Sequence, residues 1–109
     1  PEFVLAAPKF ELAEASLYVG TKSGRDEDKI KAANLVMKPA LKVRPLLIGG
    51  CVFNMECRII STHETGDHTI FVGEVLQSHA DDSDYMRILN FGNGVFAAPL
   101  PDEKLRFKF

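Results

Sequence analysis

Two stretches of the chain, Met55-Glu56-Cys57-Arg58-Ile59-Ile60-Ser61-Thr62 and Thr69-Ile70-Phe71-Val72-Gly73-Glu74-Val75-Leu76, are rich in strand formers, and a polar segment holding Gly66 and Asp67 separates them. That pattern predicts a β-hairpin. If Arg58 faces Glu74, then Cys57, Ile59, Phe71 and Val75 share one face and Glu64 stands opposite His68; a slip of one residue would exchange the faces. Upstream, Phe3 to Ala6 reads as a short strand. Residues 10–19 follow Pro8, and Ala13, Ser16, Leu17 and Gly20 recur at helical spacing. They predict a first helix whose small-residue face lets it approach a sheet, with Gly20 as the left-handed residue that ends it.

Asp26-Glu27-Asp28 precedes Lys29-Ile30-Lys31. Acids first and lysines last is the order that the helix dipole favours, and it predicts a second short helix running to about Asn34. Pro39 and Pro45 bracket a connector that cannot be one continuous helix. From Leu46 onward the chain reads as β. Leu89-Asn90-Phe91 and Val95-Phe96 flank the turn-forming Gly92-Asn93-Gly94, and an acidic loop lies at Ala80-Asp81-Asp82-Ser83-Asp84. In the tail, Leu105, Phe107 and Phe109 alternate with Lys104, Arg106 and Lys108, the period of an edge strand. The order strand, helices, strands indicates an α+β fold, mainly antiparallel β, with one or two short helices.

Composition narrows the function classes. The 109 residues fit a single domain, 1–109, and hydrophobic (46%) and charged (26%) fractions are those of an ordinary globular chain. A formal charge of −2 and a pI near 5.9 give no general attraction to nucleic acid or anionic lipid. The longest apolar run, around Leu46 to Phe53, is far short of the ~20 residues that span a bilayer. The chain starts at Pro1 without a basic leader, which reads as a processed or truncated end. Cys51 and Cys57 would lie about 20 Å apart along one straight strand at ~3.3 Å per residue, too far for a disulfide. Two unpaired thiols fit a reducing, cytoplasmic setting.

His63, His68, His79, Cys51 and Cys57 lack the close paired spacings of a zinc site, and no metal is expected. His68, just after Gly66 and Asp67 at the hairpin rim, can titrate near neutrality and donate a proton or touch a cofactor. On local sequence alone the plainer reading is an exposed turn residue. Residues 21–25 offer Lys22, Arg25, Gly24 and the hydroxyls of Thr21 and Ser23 to a phosphate, although Asp26, Glu27 and Asp28 would repel an anion on the helix axis; a solvated loop is the plainer reading there too. Glu56, Arg58 and Glu74 read as cross-strand pairing rather than as catalytic carboxylates. Phe91 and Phe96 can wall a flat aromatic ligand or simply pack.

Glu56-Cys57-Arg58 followed by Thr62-His63-Glu64-Thr65-Gly66-Asp67-His68-Thr69-Ile70-Phe71-Val72-Gly73-Glu74-Val75 resembles the flavin reductase-like family, the flavoredoxin type above all. Further matches are Tyr18 to Gly20, Ser23-Gly24-Arg25-Asp26-Glu27-Asp28-Lys29-Ile30 and the glycine-rich Phe91 to Phe96. The resemblance implies an FMN-binding split β-barrel, a homodimer with flavin at the subunit interface, and transfer of hydride from NAD(P)H through FMN to an acceptor. It implies His68 as the catalytic candidate near flavin or nicotinamide, and Ser23, Gly24, Arg25, Lys29, Asp67 and Phe96 as cofactor contacts. Family members carry about half a domain before the segment matching Phe3, so the chain corresponds to the C-terminal part, an incomplete barrel lacking the N-terminal strands. The alternatives are a non-catalytic binding or assembly module without a complete flavin site, and a phosphate-ligand binder using Lys22 and Arg25.

Overall fold

The predicted hairpin is the spine of the molecule. In the computed structural model, which describes residues 1–81 and 88–98, it comprises β4 (Cys51–Thr65) and β5 (His68–Ala80), longer at both ends than the alternation suggests. Strand β1 (Glu2–Pro8) adds to the other edge of β4, giving an antiparallel sheet of order β1-β4-β5. After β1 a 3-10 turn (Phe10–Leu12) runs into helix α1 (Ala13–Thr21), followed by the single-turn α2 (Lys29–Ala32). Strands β2 (Met37–Lys38) and β3 (Leu47–Ile48) pair at the two ends of the proline-bracketed connector, and β6 (Leu89–Gly92) pairs with β7 (Val95–Ala97). The fold is α+β, dominated by antiparallel strands that, among the described residues, do not close into a full barrel. Most of the expected acidic loop and the whole C-terminal alternation lie outside the described residues.

Arg58 does face Glu74, and the two side chains bond at 2.6 Å. Two bulges interrupt the ladder around this point. Leu76 is the extra residue of β5, between the Glu56–Gln77 and Cys57–Val75 pairs, and Ile60 is the extra residue of β4, between the Ile59–Gly73 and Ser61–Val72 pairs. The second bulge moves the outer register by one, so Thr65, not Glu64, stands opposite His68, and Glu64 faces Thr69. The first bulge has a larger effect. Without it, alternation would put His79 on the face opposite Glu56; with it, His79 pairs with Asn54 and joins the face of Asn54 and Glu56.

That face is covered by the connector. Glu56, fully buried, accepts hydrogen bonds from the amides of Leu41 (3.1 Å), Lys42 (2.5 Å) and Val43 (3.2 Å), and from His79 Nε2 at 2.5 Å. Asn54 latches the same segment farther on: its Oδ1 accepts from Ile48 N and its Nδ2 donates to Ile48 O. Glu2 accepts from Arg44 N. The connector has few partners of its own, and these three side chains supply them. On the opposite face Phe3 lies over Gly73. A Cβ there would come within 2.6 Å of the Phe3 ring, which explains a glycine inside this strand.

The helices depart from expectation at their ends. Gly20 lies inside α1 and does not end it; the helix runs to Thr21 and leaves through an extended Lys22. No left-handed residue is needed, because Thr21 Oγ1 donates to Tyr18 O and Lys29 Nζ donates to Val19 O, satisfying last-turn carbonyls. The face turned to the sheet carries Leu12, Ala15, Ser16 and Val19, one step round from the face expected, and Leu17 is exposed. Helix α2 is shorter than expected, beginning only at Lys29, where Asp28 caps it by accepting from Lys31 N.

Two outcomes test this packing. Burial pushes the Glu56 carboxyl up, but His79 and the three amides outweigh it and hold the group at about 2, below its ordinary 4.5. Its contribution to stability is therefore complete above pH 4.5 and is lost as pH falls toward 2. Glu56→Gln should lower the urea midpoint at neutral pH and flatten the acid limb in that window; equal acid limbs in both proteins would refute the latch. Gly73→Ala should cost about 1 kcal/mol by overpacking, and Phe3→Leu in the same chain should recover most of it.

Candidate functional site

His68 sits where the hairpin reverses. The two-residue loop Gly66-Asp67 has Gly66 at φ 65°, the left-handed residue that a tight hairpin requires at its first central position. His68 Nδ1 lies 2.6 Å from Asp67 Oδ1, with the two side chains 81% and 93% exposed. Water screens a pair that open, so the contact with Asp67 serves to orient the ring. Thr65 Oγ1 donates to His68 O and ties the strand ends together. Beyond Arg58 the hairpin has no β1 alongside it, and this arm carries His68 into solvent.

The second group of candidates lies at the C-terminal end of α1. Ser23 Oγ accepts from Arg25 N and Ser23 O from Asp26 N, folding residues 23–26 into a turn that leaves Ser23, Gly24 and Arg25 exposed. Lys29, expected at the cofactor, has its ammonium on Val19 O. Tyr18 donates to Glu27 at 2.6 Å, and that bond, burial and the Glu27 charge raise its phenol above the ordinary value; Lys22 stands 5.9 Å over its ring. Phe96 lines a cleft of about 350 Å³ with Ser16, Leu17, Gly20 and Thr21, so it lies against the last turns of α1, from which this loop leaves.

These candidates fall into two places. Loop 23–29 and Phe96 gather at the end of α1, which packs beside Pro8 and Cys51, whereas His68 is eleven residues along β5 from His79, ~36 Å of extended strand. Within one chain His68 and the loop are far apart.

Sequence reading missed a third place. Beside the Glu56–His79 pair is a cleft of about 430 Å³ walled by Lys9, Lys38, Cys51, Asn54, His79 and Asp81, with Lys9 ion-paired to Asp81. Burial pushes the Cys51 thiol up against the opposing pull of Lys9. The available signal was the polar residues at positions 54 and 56 of a strand whose neighbours are apolar, but assigning them a partner required the Leu76 bulge.

Comparison with known proteins follows the same lines. An uncharacterised protein of Archaeoglobus fulgidus is 43% identical over 81 residues, 73% of this chain and 46% of that protein. The "FMN reductase (NADH) SmoA" of Agrobacterium fabrum is 44% identical over 50 residues, 46% of this chain and 27% of that one. The chain thus spans less than half the length of these relatives. Among solved structures, the flavoredoxin of Desulfovibrio vulgaris superposes with a TM-score of 0.82 at 23% identity, covering 99% of this chain and 63% of the other, a likeness of fold. The model of the flavin reductase like domain matches residues 1–99, and the chain belongs to that family.

Proposed function

We propose that this chain is part of an FMN-binding, flavin reductase-like oxidoreductase that passes electrons from NAD(P)H through flavin to an acceptor. The observation that carries the reading is the Gly66-Asp67-His68 tip, an oriented imidazole held out on a bare arm in a chain of this family. The relative named as an NADH-dependent FMN reductase supports it. The residues present fit the cofactor in two parts. Exposed Arg25 and Ser23, with Lys22 beside them, offer donors to a phosphate, and Phe96 offers an apolar wall nearby. Lys29 serves this loop by anchoring it to α1.

His68 reaches such a site from a second copy, so the active form is a homodimer in which each arm extends to its partner's loop. Bound flavin supplies the hydride chemistry; the chain supplies binding, orientation and charge. In this arrangement Asp67 holds His68, and the imidazole contacts flavin or nicotinamide.

The separation of His68 from loop 23–29 within one chain also favours a second reading, a binding or assembly module without a working flavin site. Titration with FMN separates the two. Uptake of flavin, read from its band near ~450 nm, together with a dimer in solution supports the first. A folded chain that takes up no FMN supports the second. In the loaded protein, His68→Ala should slow NAD(P)H oxidation about tenfold or more, the effect of one lost charge-assisted hydrogen bond, with an unchanged fold. Equal rates would remove His68 from the mechanism. Arg25→Ala with Lys22→Ala should weaken FMN binding about tenfold or more while leaving the folded spectrum intact, and unchanged affinity would place the phosphate elsewhere.

A further inference from the structure

The polar cleft beside His79 does not stand alone. Ile48 and Cys51 also line a second cavity, of about 220 Å³, whose other walls include Ala6, Leu12, Ala15, Val19 and Leu35. That chamber lies between α1 and the sheet, and it is larger than the ~150 Å³ apolar cavity that accepts a benzene ring. The apolar chamber and the polar cleft share Ile48 and Cys51 as walls.

The charges around the cleft are unequal. Lys9 is matched by Asp81 and His79 by the buried Glu56, which leaves Lys38 of β2, exposed on the cleft wall. The Cys51 thiol, pushed up by burial, is neutral. Glu56 holds His79 through Nε2, and among the described residues nothing bonds to Nδ1. Nδ1 is thus the ring atom left to donate to a bound anion.

We infer that the chamber and the cleft, adjacent at Ile48 and Cys51, open to one another and form a binding site for a small monocarboxylate with a short apolar tail. The tail fills the chamber under α1, and the carboxylate lies in the cleft against Lys38 and His79 Nδ1. Burial of the tail and a charge-assisted bond at the head act together, so neither half of the ligand suffices. A ligand in the cleft meets the His79 ring at Nδ1, since Nε2 is held by Glu56. The charged groups facing that ring are Glu56 from β4, Lys9 after β1, Lys38 from β2 and Asp81 after β5.

Hexanoate is the probe, with hexanol and acetate as its two halves, and Cys51 reports occupancy. Iodoacetamide should modify Cys51 several-fold more slowly with hexanoate present than with either half at the same concentration, while Cys57, buried on the other face of the sheet, is unaffected. Hexanoate and hexanol affinities are measured calorimetrically. Lys38→Ala, at an exposed position, should weaken hexanoate about tenfold and leave hexanol unchanged. Equal protection by hexanol, no protection of Cys51, or unchanged hexanoate binding in the Lys38 variant would each overturn the assignment. None of these readouts involves flavin, so the outcome is independent of the proposed reductase activity.

Discussion

A carboxylate with no contact with water is tolerated only where its charge is fully matched by donors, and Glu56 sets that condition at the centre of this molecule. Its donors come from residues distant in the chain: three consecutive amides at 41–43 and the imidazole of His79. Satisfying one side chain therefore fixes where the connector crosses the sheet and which way β5 faces. Asn54, two residues earlier on the same face, repeats the device at Ile48. Between them they hold a segment whose prolines deny it regular structure of its own. With only Leu47 and Cys57 buried among the described apolar residues, this network of polar contacts carries an unusual share of the structural definition.

The hairpin was legible because its evidence is local: strand-forming residues on both sides, a glycine-aspartate turn, and an arginine and a glutamate placed to pair. Its bulges were not. An extra residue such as Leu76 changes no propensity and leaves the alternation looking regular, yet it decides whether His79 meets Glu56 or faces the other way. The same limit applies to α1. Gly20 looked like a terminator because glycine commonly ends helices, but the carbonyls it would have served were already bonded by Thr21 and by Lys29, eight residues beyond Thr21. Local rules named the right residues there and misplaced them by about one turn or one register step.

For the candidate site the division is similar. His68 and the Ser23–Lys29 loop stand out by residue type and by family resemblance, and nothing in the linear sequence says that they lie at opposite ends of a long strand pair. Lys29 shows why residue type is an incomplete guide, since a lysine suited to a phosphate is here bonded to a helix carbonyl. Glu56 shows the converse: its sequence context suggests a cross-strand pairing charge like Arg58 and Glu74, and it is the most buried side chain described.

The arm that carries His68 poses the remaining structural problem. Ile60, Ile70, Phe71 and Val72 are all substantially exposed, and on β5 they fall on both faces: Ile70 and Val72 on one, Phe71 on the other. An antiparallel strand that meets water on one face alternates apolar with polar, whereas apolar residues on both faces belong to a strand covered from both sides. Arg58 and Glu74, by contrast, pair at the root of the arm, where β1 still flanks β4. The change from a flanked root to a bare apolar arm matches the reading in which a second copy lies along it. In that arrangement the surface that excludes water from Phe71 and Val72 is the same surface that surrounds the imidazole at the tip. The turn chemistry of Gly66 and Asp67 and the apolar residues behind it would then serve one end, a histidine delivered into a site that its own chain does not complete.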